Sequence, residues 1–404
     1  MSKTVVVLGA GVGGLATAAE LRKALPAQDR ILLIDRTFSG NLGLSLLWVM
    51  RGWRTPEQVR VMPSAAALPG VQMVTAEVDW IDEAEQTVRC RDGDPIRYDA
   101  LVIALGAALD VAAVAGLAEA LEAGVASQFY TLEGAADLHR RIGALKSGRL
   151  MVLVLGVPFK CPAAPFEAAF LIADQLGARH SSGAVRVDTF TPDTLPMPVA
   201  GPEVGKSLVS MMEAKGIGFQ GGKSATHIDA NTRTVEFADG TTEAFDRLVV
   251  IPPHRSEAAT LISTGIAPNG WIPVDPHTLA TSARGVWAIG DVTALMLPNG
   301  KPLPKAAIFA QAEAEVAAHQ VARHLGYDAP DTRFTGEGVC YVEIGGGLAA
   351  KGEGDFFATP VPRVALRDPS AGYHVEKAQE ERDWLARWNI GEASAETAWN
   401  RRIS

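Results

Sequence analysis

The fold of this chain is decided near its start, where residues 4–21 read TVVVLGAGVGGLATAAEL. An apolar strand leads through three spaced glycines, Gly9, Gly11 and Gly14, into a helix. In this arrangement the first glycine permits a tight turn, the second lets the backbone approach a pyrophosphate, and the third lets helix and strand pack closely. Free N–H groups at the helix N-terminus then bind the phosphates. The stretch therefore predicts a dinucleotide-binding unit.

The rest of this first unit follows from later apolar runs. Residues 30–34 form a second apolar strand that ends at Asp35, where an acidic residue accepts hydrogen bonds from a ribose. Residues 101–106 predict a buried strand that ends in glycine, and residues 286–291 predict a further one that ends in Gly-Asp. A long helix is expected to follow at about residues 304–325.

Composition limits the function classes. The chain has 404 residues, of which 48% are hydrophobic, and a formal net charge of −9. This length holds two or three domains, and the negative charge argues against a nucleic-acid partner. No uncharged run reaches about 18 residues, so no transmembrane helix is expected, and a strand beginning near residue 4 leaves no secretory signal. The expected location is the cytoplasm or the membrane periphery, or the periplasm if the chain is a processed form.

The chain contains an internal repeat. Residues 149–156 repeat the opening pattern of an apolar strand followed by a glycine, which predicts a second α/β unit. The expected fold class is α/β, with two Rossmann-like dinucleotide-binding domains and a small C-terminal α+β region. The predicted boundaries are residues 1–107 with 275–325 for the first domain, 108–274 for the second, and 326–404 for the third region.

The second unit lacks the glycine fingerprint of the first. Residues 156–167 read GVPFKCPAAPFE, so the second and third glycines are missing, and prolines and a bulky aromatic fill the turn. Because such a turn keeps the backbone away from a pyrophosphate, we predict that this unit does not bind NAD(P).

A cysteine stands in that turn instead. Pro162 suits a first helical turn, and residues 163–176 predict a helix, so Cys161 is placed at a helix N-terminus. There the helix dipole lowers the pKa of a thiol, and Lys160 adds positive charge. The alternative is a small buried cysteine. Glu167, in the same helix, is either a functional carboxylate or a surface residue favoured by the dipole.

The other two cysteines carry less information by themselves. Cys340 lies in a predicted short strand, residues 336–343, where a buried cysteine is the simplest interpretation. Cys90 follows an alternating strand and is interpreted as structural. Three cysteines are too few for a disulfide framework. The eight histidines show no ligand spacing, so no metal site is predicted.

Several segments together resemble one enzyme family. They are residues 48–54 (WVMRGWR), 158–169 (PFKCPAAPFEAA) and 338–343 (GVCYVE), beside the glycine fingerprint and Gly-Asp segment of glutathione-reductase-like flavoproteins. The chain resembles the sulfide:quinone oxidoreductases and, equally, the flavin subunit of flavocytochrome c sulfide dehydrogenase. The resemblance extends to about residue 350.

The resemblance implies a redox pair. In that family two cysteines form a redox-active disulfide or polysulfide bridge beside the flavin, and Cys161 and Cys340 match those positions. Glu167 matches a carboxylate that handles protons there. The implied reaction is FAD-dependent oxidation of sulfide to sulfane sulfur or polysulfide, with electrons passed through FAD to a quinone.

The resemblance also implies FAD as the cofactor. Asp291 is expected to bind the ribityl chain, and Lys305 and Ala306 are expected to place positive potential near the flavin pyrimidine edge. The full set of implied cofactor contacts is Gly9, Gly11, Gly14, Asp35, Arg36, Val78, Ala104, Gly106, Gly290, Asp291, Lys305 and Ala306.

Two departures from the family leave the electron acceptor open. Residues 127–131 contain no cysteine, whereas many quinone-reducing members carry a third one there. In residues 375–404, Trp384, Leu385 and Trp388 form only a narrow apolar stripe, which predicts a weak peripheral membrane anchor at best. The acceptor is therefore a quinone or, in a cytochrome-linked sulfide dehydrogenase, a c-type cytochrome.

Two other functions stay open at this point. One is an NAD(P)H:quinone or disulfide reductase of the same fold, against which the missing glycines after Gly156 count. The other is not an enzyme but a flavin-bound electron-transfer or interaction protein with vestigial cysteines.

Overall fold

The first unit is built on a parallel sheet. The computed structural model describes residues 2–258, 261 and 265–390, so the predicted tail beyond residue 390 lies outside the described part. The opening strand pairs in parallel on both sides, Val7 with Leu33 and with Val102. In spatial order the five strands are Val286–Ala288, Ala100–Ile103, Thr4–Leu8, Arg30–Asp35 and Gln72–Thr75. The late strand joins this sheet, so the chain returns to its first unit after building the second.

The glycine turn leads into the helix Val12–Ala24, which packs against the long helix Ala307–His324. Gly13 faces Ala310 of the long helix, where an added Cβ would make an ordinary contact at 3.5 Å, and it faces Ile289, whose Cδ1 would lie 3.0 Å from that Cβ. Apolar residues of both helices share one buried cluster with the sheet. The helices thus cover one face of the first sheet.

The second unit repeats the design. Its five strands, in spatial order, are Ala126–Ser127, Arg247–Ile251, Gly148–Val154, Val185–Phe190 and Gly218–Gln220, and all pair in parallel. Its main helices are Leu132–Ala144, Ala164–Leu176 and Pro202–Ala214. Two parallel sheets with covering helices confirm the predicted α/β class with two Rossmann-like domains. The exact domain boundaries stay predictions.

A third, antiparallel sheet and a long helix complete the described chain. The strands are Glu337–Glu343, Ala349–Asp355 and Arg363–Ser370, and the C-terminal helix is Ala371–Trp388. Trp384 and Trp388 of that helix are buried in the protein. The predicted apolar stripe is therefore covered by the chain itself and does not form a free face for a membrane.

Short elements connect these units. The helices are Gly43–Arg51, Pro56–Val59, Leu117–Glu122 and Ala178–Ser181, with 3₁₀ turns Pro198–Ala200 and Gly290–Val292. The strands are Gly40–Asn41, Arg60–Val61, Val78–Asp82, Thr87–Cys90, Ile96–Arg97, Ala107–Leu109, Ala225–Asp229, Thr234–Phe237, Thr242–Ala244, His254–Ser256, Ile272–Pro273 and Thr293–Ala294. Within the ranges given above, no helix is both long and apolar enough to cross a membrane.

Candidate functional site

The glycine turn has the geometry of a phosphate cradle. A Cβ on Gly9 would lie 2.5 Å from Ala104 O, and one on Gly14 would lie 1.8 Å from Gly9 O, so neither position accepts a side chain. A Cβ on Gly11 meets nothing within 4 Å. Gly11 therefore faces open space at the start of a helix, where a bound pyrophosphate needs close approach to the backbone.

Asp35 holds this turn in place. Its Oδ2 accepts a hydrogen bond from the Ala10 N–H at 2.8 Å, and its Oδ1 accepts two more from Thr37 and Phe38. Its role toward a ribose stays a prediction. Arg36 is largely exposed and pairs with Glu257 at 3.4 Å, while Val78 is buried in a strand beside Cys90. Val78 thus lies in the core of the first unit, and its contact with the cofactor stays a prediction.

A second cavity, of about 220 Å³, lies at the Gly-Asp segment. Its lining includes Gly290, Asp291, Lys305 and Ala306, together with Glu313. The Lys305 ammonium donates to the carbonyl oxygens of Asp291 (2.8 Å) and Thr293 (3.0 Å). Burial lowers the pKa of Lys305 to about 8, so the group still carries positive charge at neutral pH.

Glu313 was not predicted. Its carboxyl group is buried, it accepts a hydrogen bond from the Gly290 N–H at 2.6 Å, and burial raises its pKa to about 7. It lies in an alanine-rich helical pattern, residues 307–324, which also contains Glu315, and nothing in the sequence distinguishes the buried glutamate from its neighbour.

Cys161 lies in the turn of the second unit, with a left-handed φ of 58°. Its N–H donates to Lys305 O at 2.7 Å, which joins this turn to the segment that precedes the long helix. On the other side, the Tyr130 hydroxyl donates to Lys160 O at 3.1 Å. The ammonium of Lys160 itself donates to Ala107 O at 2.9 Å.

Two details predicted for Cys161 are wrong. The helix begins at Ala164, with Pro165 rather than Pro162 in its first turn. The thiol pKa is also not lowered: burial raises the pKa of Cys161 to about 12, and Glu167 and Cys340 add to the rise. Removing the thiolate from water outweighs the favourable helix dipole, which is the reason for the error.

The structure brings the two predicted redox cysteines to one place. Cys161 and Cys340 both line an apolar pocket of about 540 Å³, which also includes Pro304 and Ala306. Both thiols are free. Burial raises the pKa of Cys340 to about 11, and Glu167 adds to the rise. Cys90 is buried in the core of the first unit, apart from this pocket.

A buried ion pair lies behind the thiols. Glu167, 1% exposed, accepts a hydrogen bond from the ammonium of Lys377, 2% exposed. Burial raises the pKa of Glu167 to about 7, although Lys377 opposes the rise. Lys377 also lowers the pKa of both thiols. The sequence pattern placed Lys377 in a charged tail and did not predict its role. The one available signal was that Lys377, Glu381 and Trp384 follow a helical spacing and so lie on one face of a helix.

Further charged groups surround this pair. Glu343, which is fully buried, accepts hydrogen bonds from Trp48 Nε1 at 3.3 Å and interacts with His374 Nδ1 at 3.0 Å. Arg54 donates to the buried Glu381 at 2.7 Å and lies over the Trp48 ring. Among the described residues, no group of three His, Cys, Asp or Glu is arranged to hold a metal ion.

A phosphate cradle, a Gly-Asp segment and a thiol pair on two Rossmann-like domains define a flavin-dependent oxidoreductase. The residues fit FAD because the open space at Gly11 is a cradle that a side chain would fill. The chain belongs to the pyridine nucleotide-disulphide oxidoreductase family, whose model matches residues 3–314. It is an FAD-dependent enzyme.

Similar proteins of known name indicate which members of this family the chain resembles. The sulfide-quinone reductase of Aquifex aeolicus is 26% identical over 378 residues, covering 89% of this chain and 84% of that protein. The crystal structure of the Aquifex aeolicus sulfide:quinone oxidoreductase superposes with a TM-score of 0.82 at 22% identity, over 96% of this chain and 91% of that one. The ferredoxin–NAD(+) reductase component of the biphenyl dioxygenase system of Paraburkholderia xenovorans is 28% identical over 325 residues, covering 79% of this chain and 74% of that protein. The resemblance to the sulfide:quinone oxidoreductase family is confirmed.

The two glycines give a matched test of the cofactor cradle. We expect Gly11→Ala to keep its fold but to lose most of its FAD, because the new methyl group fills space that the pyrophosphate needs. Gly14→Ala should destabilise the protein with or without FAD, because its Cβ would overlap Gly9 O. Flavin content after gel filtration and thermal unfolding of the apoprotein separate the two effects. Full FAD occupancy in Gly11→Ala would contradict the assignment.

Proposed function

We propose that this enzyme oxidises sulfide, with Cys161 and Cys340 as its redox pair, and passes the electrons through FAD to a quinone. The observation that carries the proposal is that both thiols lie on the wall of one apolar pocket, beside the segment 304–306 that also borders the Gly-Asp cavity. The name of the Aquifex relative supports the same substrate and acceptor.

The residues of the site account for the sulfur chemistry. Hydrosulfide attacks one sulfur of the oxidised pair; the disulfide bond breaks, one cysteine becomes a persulfide and the other leaves as a thiolate. FAD, when bound, supplies the acceptor for two electrons. Because burial disfavours thiolates here, Lys377 stabilises the negative charge and Glu167, with its pKa of about 7, takes up protons.

The pocket suits a flat, apolar acceptor. Apart from the sulfurs, its wall is made mainly of hydrophobic groups, including Met197, Val199, Ile308, Phe309 and Val364. Ile308 is 36% exposed, so the pocket reaches the surface. We propose that a quinone ring binds here.

One observation keeps a second candidate. In the stretch where many quinone-reducing members have a third cysteine, this chain has Tyr130, held by its hydroxyl to Lys160 O. This departure favours the flavoprotein of a cytochrome-linked sulfide dehydrogenase, with a c-type cytochrome as acceptor. An NAD(P)H reductase is less well supported, because backbone pairing occupies the turn after Gly156, where a dinucleotide would have to bind. Pro158 O accepts a hydrogen bond from the His254 N–H at 2.7 Å, and the backbones of Lys160 and Lys305 form a β-bridge.

One anaerobic experiment tests all three functions. Purified holoenzyme is mixed with sulfide or with NADH while the visible absorption band of FAD is followed. We expect sulfide, and not NADH, to reduce the FAD and so bleach the band. Adding a soluble quinone afterwards should reoxidise the FAD and restore the band. Restoration by a c-type cytochrome alone would favour the second candidate, and bleaching by NADH alone would contradict the proposal.

A further inference from the structure

We propose that Glu167, Lys377, Glu343 and His374 form a proton path that leads from the two thiols to the protein surface. The inference rests on the proposed function and deepens it, because it assigns a route for protons that sulfide oxidation must release. It places the route beside the C-terminal helix, which carries Lys377 and His374, and away from the apolar pocket.

The chemistry requires such a route. When hydrosulfide attacks the disulfide, its sulfur bonds to a cysteine sulfur and still carries its proton, while the other cysteine takes the electron pair of the broken bond. Removing the two electrons, which finally reduce the quinone, leaves sulfane sulfur and one proton. Both cysteines are half-buried on the wall of the apolar pocket, so that proton needs a nearby polar group to accept it.

The pocket offers no polar route. On its side of the thiols the wall consists largely of hydrophobic groups such as Met197, Val199, Phe309 and Val364. Such a surface gives a proton no chain of acceptors. Carboxyl and ammonium groups face the thiols instead on the side of the C-terminal helix, where Glu167 and Lys377 act on both of them.

The groups on that side form a series in which Lys377 contacts Glu167 directly and is influenced by the charge of Glu343. The Lys377 ammonium donates to Glu167, and the backbone N–H of Glu343 donates to the same carboxylate. Lys377 lies over the Trp48 ring, 5.4 Å from its centroid, and the Nε1 of that ring donates to Glu343. The negative charges of Glu167 and Glu343 both stabilise the ammonium. Lys377 is therefore hydrogen-bonded to one carboxylate and stabilised by the charge of a second.

His374 connects the series to solvent. Its Nδ1 lies 3.0 and 3.1 Å from the two carboxylate oxygens of Glu343, and its side chain is 30% exposed whereas that of Glu343 is fully buried. The rings of Trp48 and Trp53 meet it edge-on and hold it there. Imidazole is a common proton shuttle in proteins, so His374 can pass protons between Glu343 and water.

Moving one proton along these four residues leaves each of them in its starting protonation state. Glu167 takes the proton from sulfur and gives it to Lys377, which then releases one of its own protons to Glu343 when its flexible side chain moves toward that carboxylate. His374 then removes that proton to solvent. The neighbouring charges are accounted for: Arg54 pairs with Glu381, and Glu380, nearby, raises the pKa of Cys340. His374 is thus a positioning and proton-carrying residue that does not touch the substrate.

Rescue by added imidazole tests the path. Holoenzymes of the natural sequence, His374→Ala, His374→Gln and the control His180→Ala, which alters a histidine of the second unit, are mixed anaerobically with sulfide in dilute buffer. We expect both His374 variants to reduce FAD on the order of tenfold more slowly, less than the roughly 10²–10⁴-fold effect of a direct acid–base group. Added imidazole should restore His374→Ala and should not change the control.

The outcomes separate the possible failures. Slow reduction that imidazole does not restore, or a natural rate in both His374 variants, would overturn the path while the proposed function stands. His374→Gln can still donate to Glu343 but cannot carry a proton, so a natural rate in that variant alone would also overturn it. If sulfide fails to reduce FAD in the natural enzyme, the proposed function fails, and the path fails with it.

Discussion

Replacing Cys161 or Cys340 by Ser is expected to abolish reduction of FAD by sulfide while FAD stays bound. Serine keeps nearly the same size, but its oxygen can form neither a disulfide nor a persulfide, so the first step has no acceptor for the sulfur. The loss should exceed about 10³-fold, because removing a nucleophile that acts as part of a unit disables the unit. Anaerobic stopped-flow mixing with sulfide measures the rate, and the absorption of the bound flavin confirms occupancy.

Cys90→Ser provides the matched control. Cys90 is also buried and burial also raises its pKa, but it packs in the core of the first unit. Its replacement is expected to cost some stability and to leave the rate of FAD reduction unchanged. A natural rate in Cys161→Ser or Cys340→Ser would remove that cysteine from the proposed redox pair.

Local patterns in the sequence were sufficient to predict the fold. The run of residues 4–21 fixes strand, turn and helix within one segment, and the structure gives Thr4–Leu8 and Val12–Ala24. The second strand-and-glycine pattern predicted the second sheet for the same reason. Each of these signals lies within about 20 residues, where hydrophobic periodicity and glycine spacing act directly on the backbone.

The electrostatics of the site could not be predicted in this way. The sequence shows that Cys161 precedes a helix, but not that it is half-buried against an apolar pocket, and this desolvation reverses the direction of its pKa shift. Lys377 is 210 residues from Glu167 along the chain and approaches it only because the C-terminal helix packs on the third sheet. Pairs of residues so far apart in the sequence meet only through tertiary packing, and no local pattern in a single sequence predicts them.

The buried pair also explains a property of the whole C-terminal helix. Lys377 and Glu381 are its buried charged residues, and each has a partner outside the helix, Glu167 and Arg54. An ionised group left unpaired in such a place is strongly destabilising. The charged pattern that suggested a solvent-exposed tail is therefore partly an internal surface, which docks the helix against the redox site.

Replacing Glu167 by Gln is expected to slow reduction of FAD by sulfide at least about tenfold and to flatten its pH dependence. Glutamine keeps the size and a hydrogen-bonding oxygen but cannot take up a proton, and general acid–base groups contribute roughly 10²–10⁴-fold. In the natural enzyme the pKa of Glu167 is raised to about 7, so the rate should rise as pH increases through that value. The titration of sulfide itself is common to both proteins and cancels in the ratio of their rates.

Stability and a control complete this test. Since folding raises the pKa of Glu167 from 4.5 to about 7, its contribution to stability is full below pH 4.5 and is lost as pH rises through 7; Glu167→Gln should remove this trend.

Glu203→Gln is the control, because Glu203 also lies in the first turn of a helix but is 84% exposed. It should lose only the roughly 0.3–1 kcal/mol of a dipole interaction, with no change in rate. If Glu167→Gln matches Glu203→Gln in rate and pH profile, Glu167 only favours the start of its helix, and another group must accept the proton from sulfur.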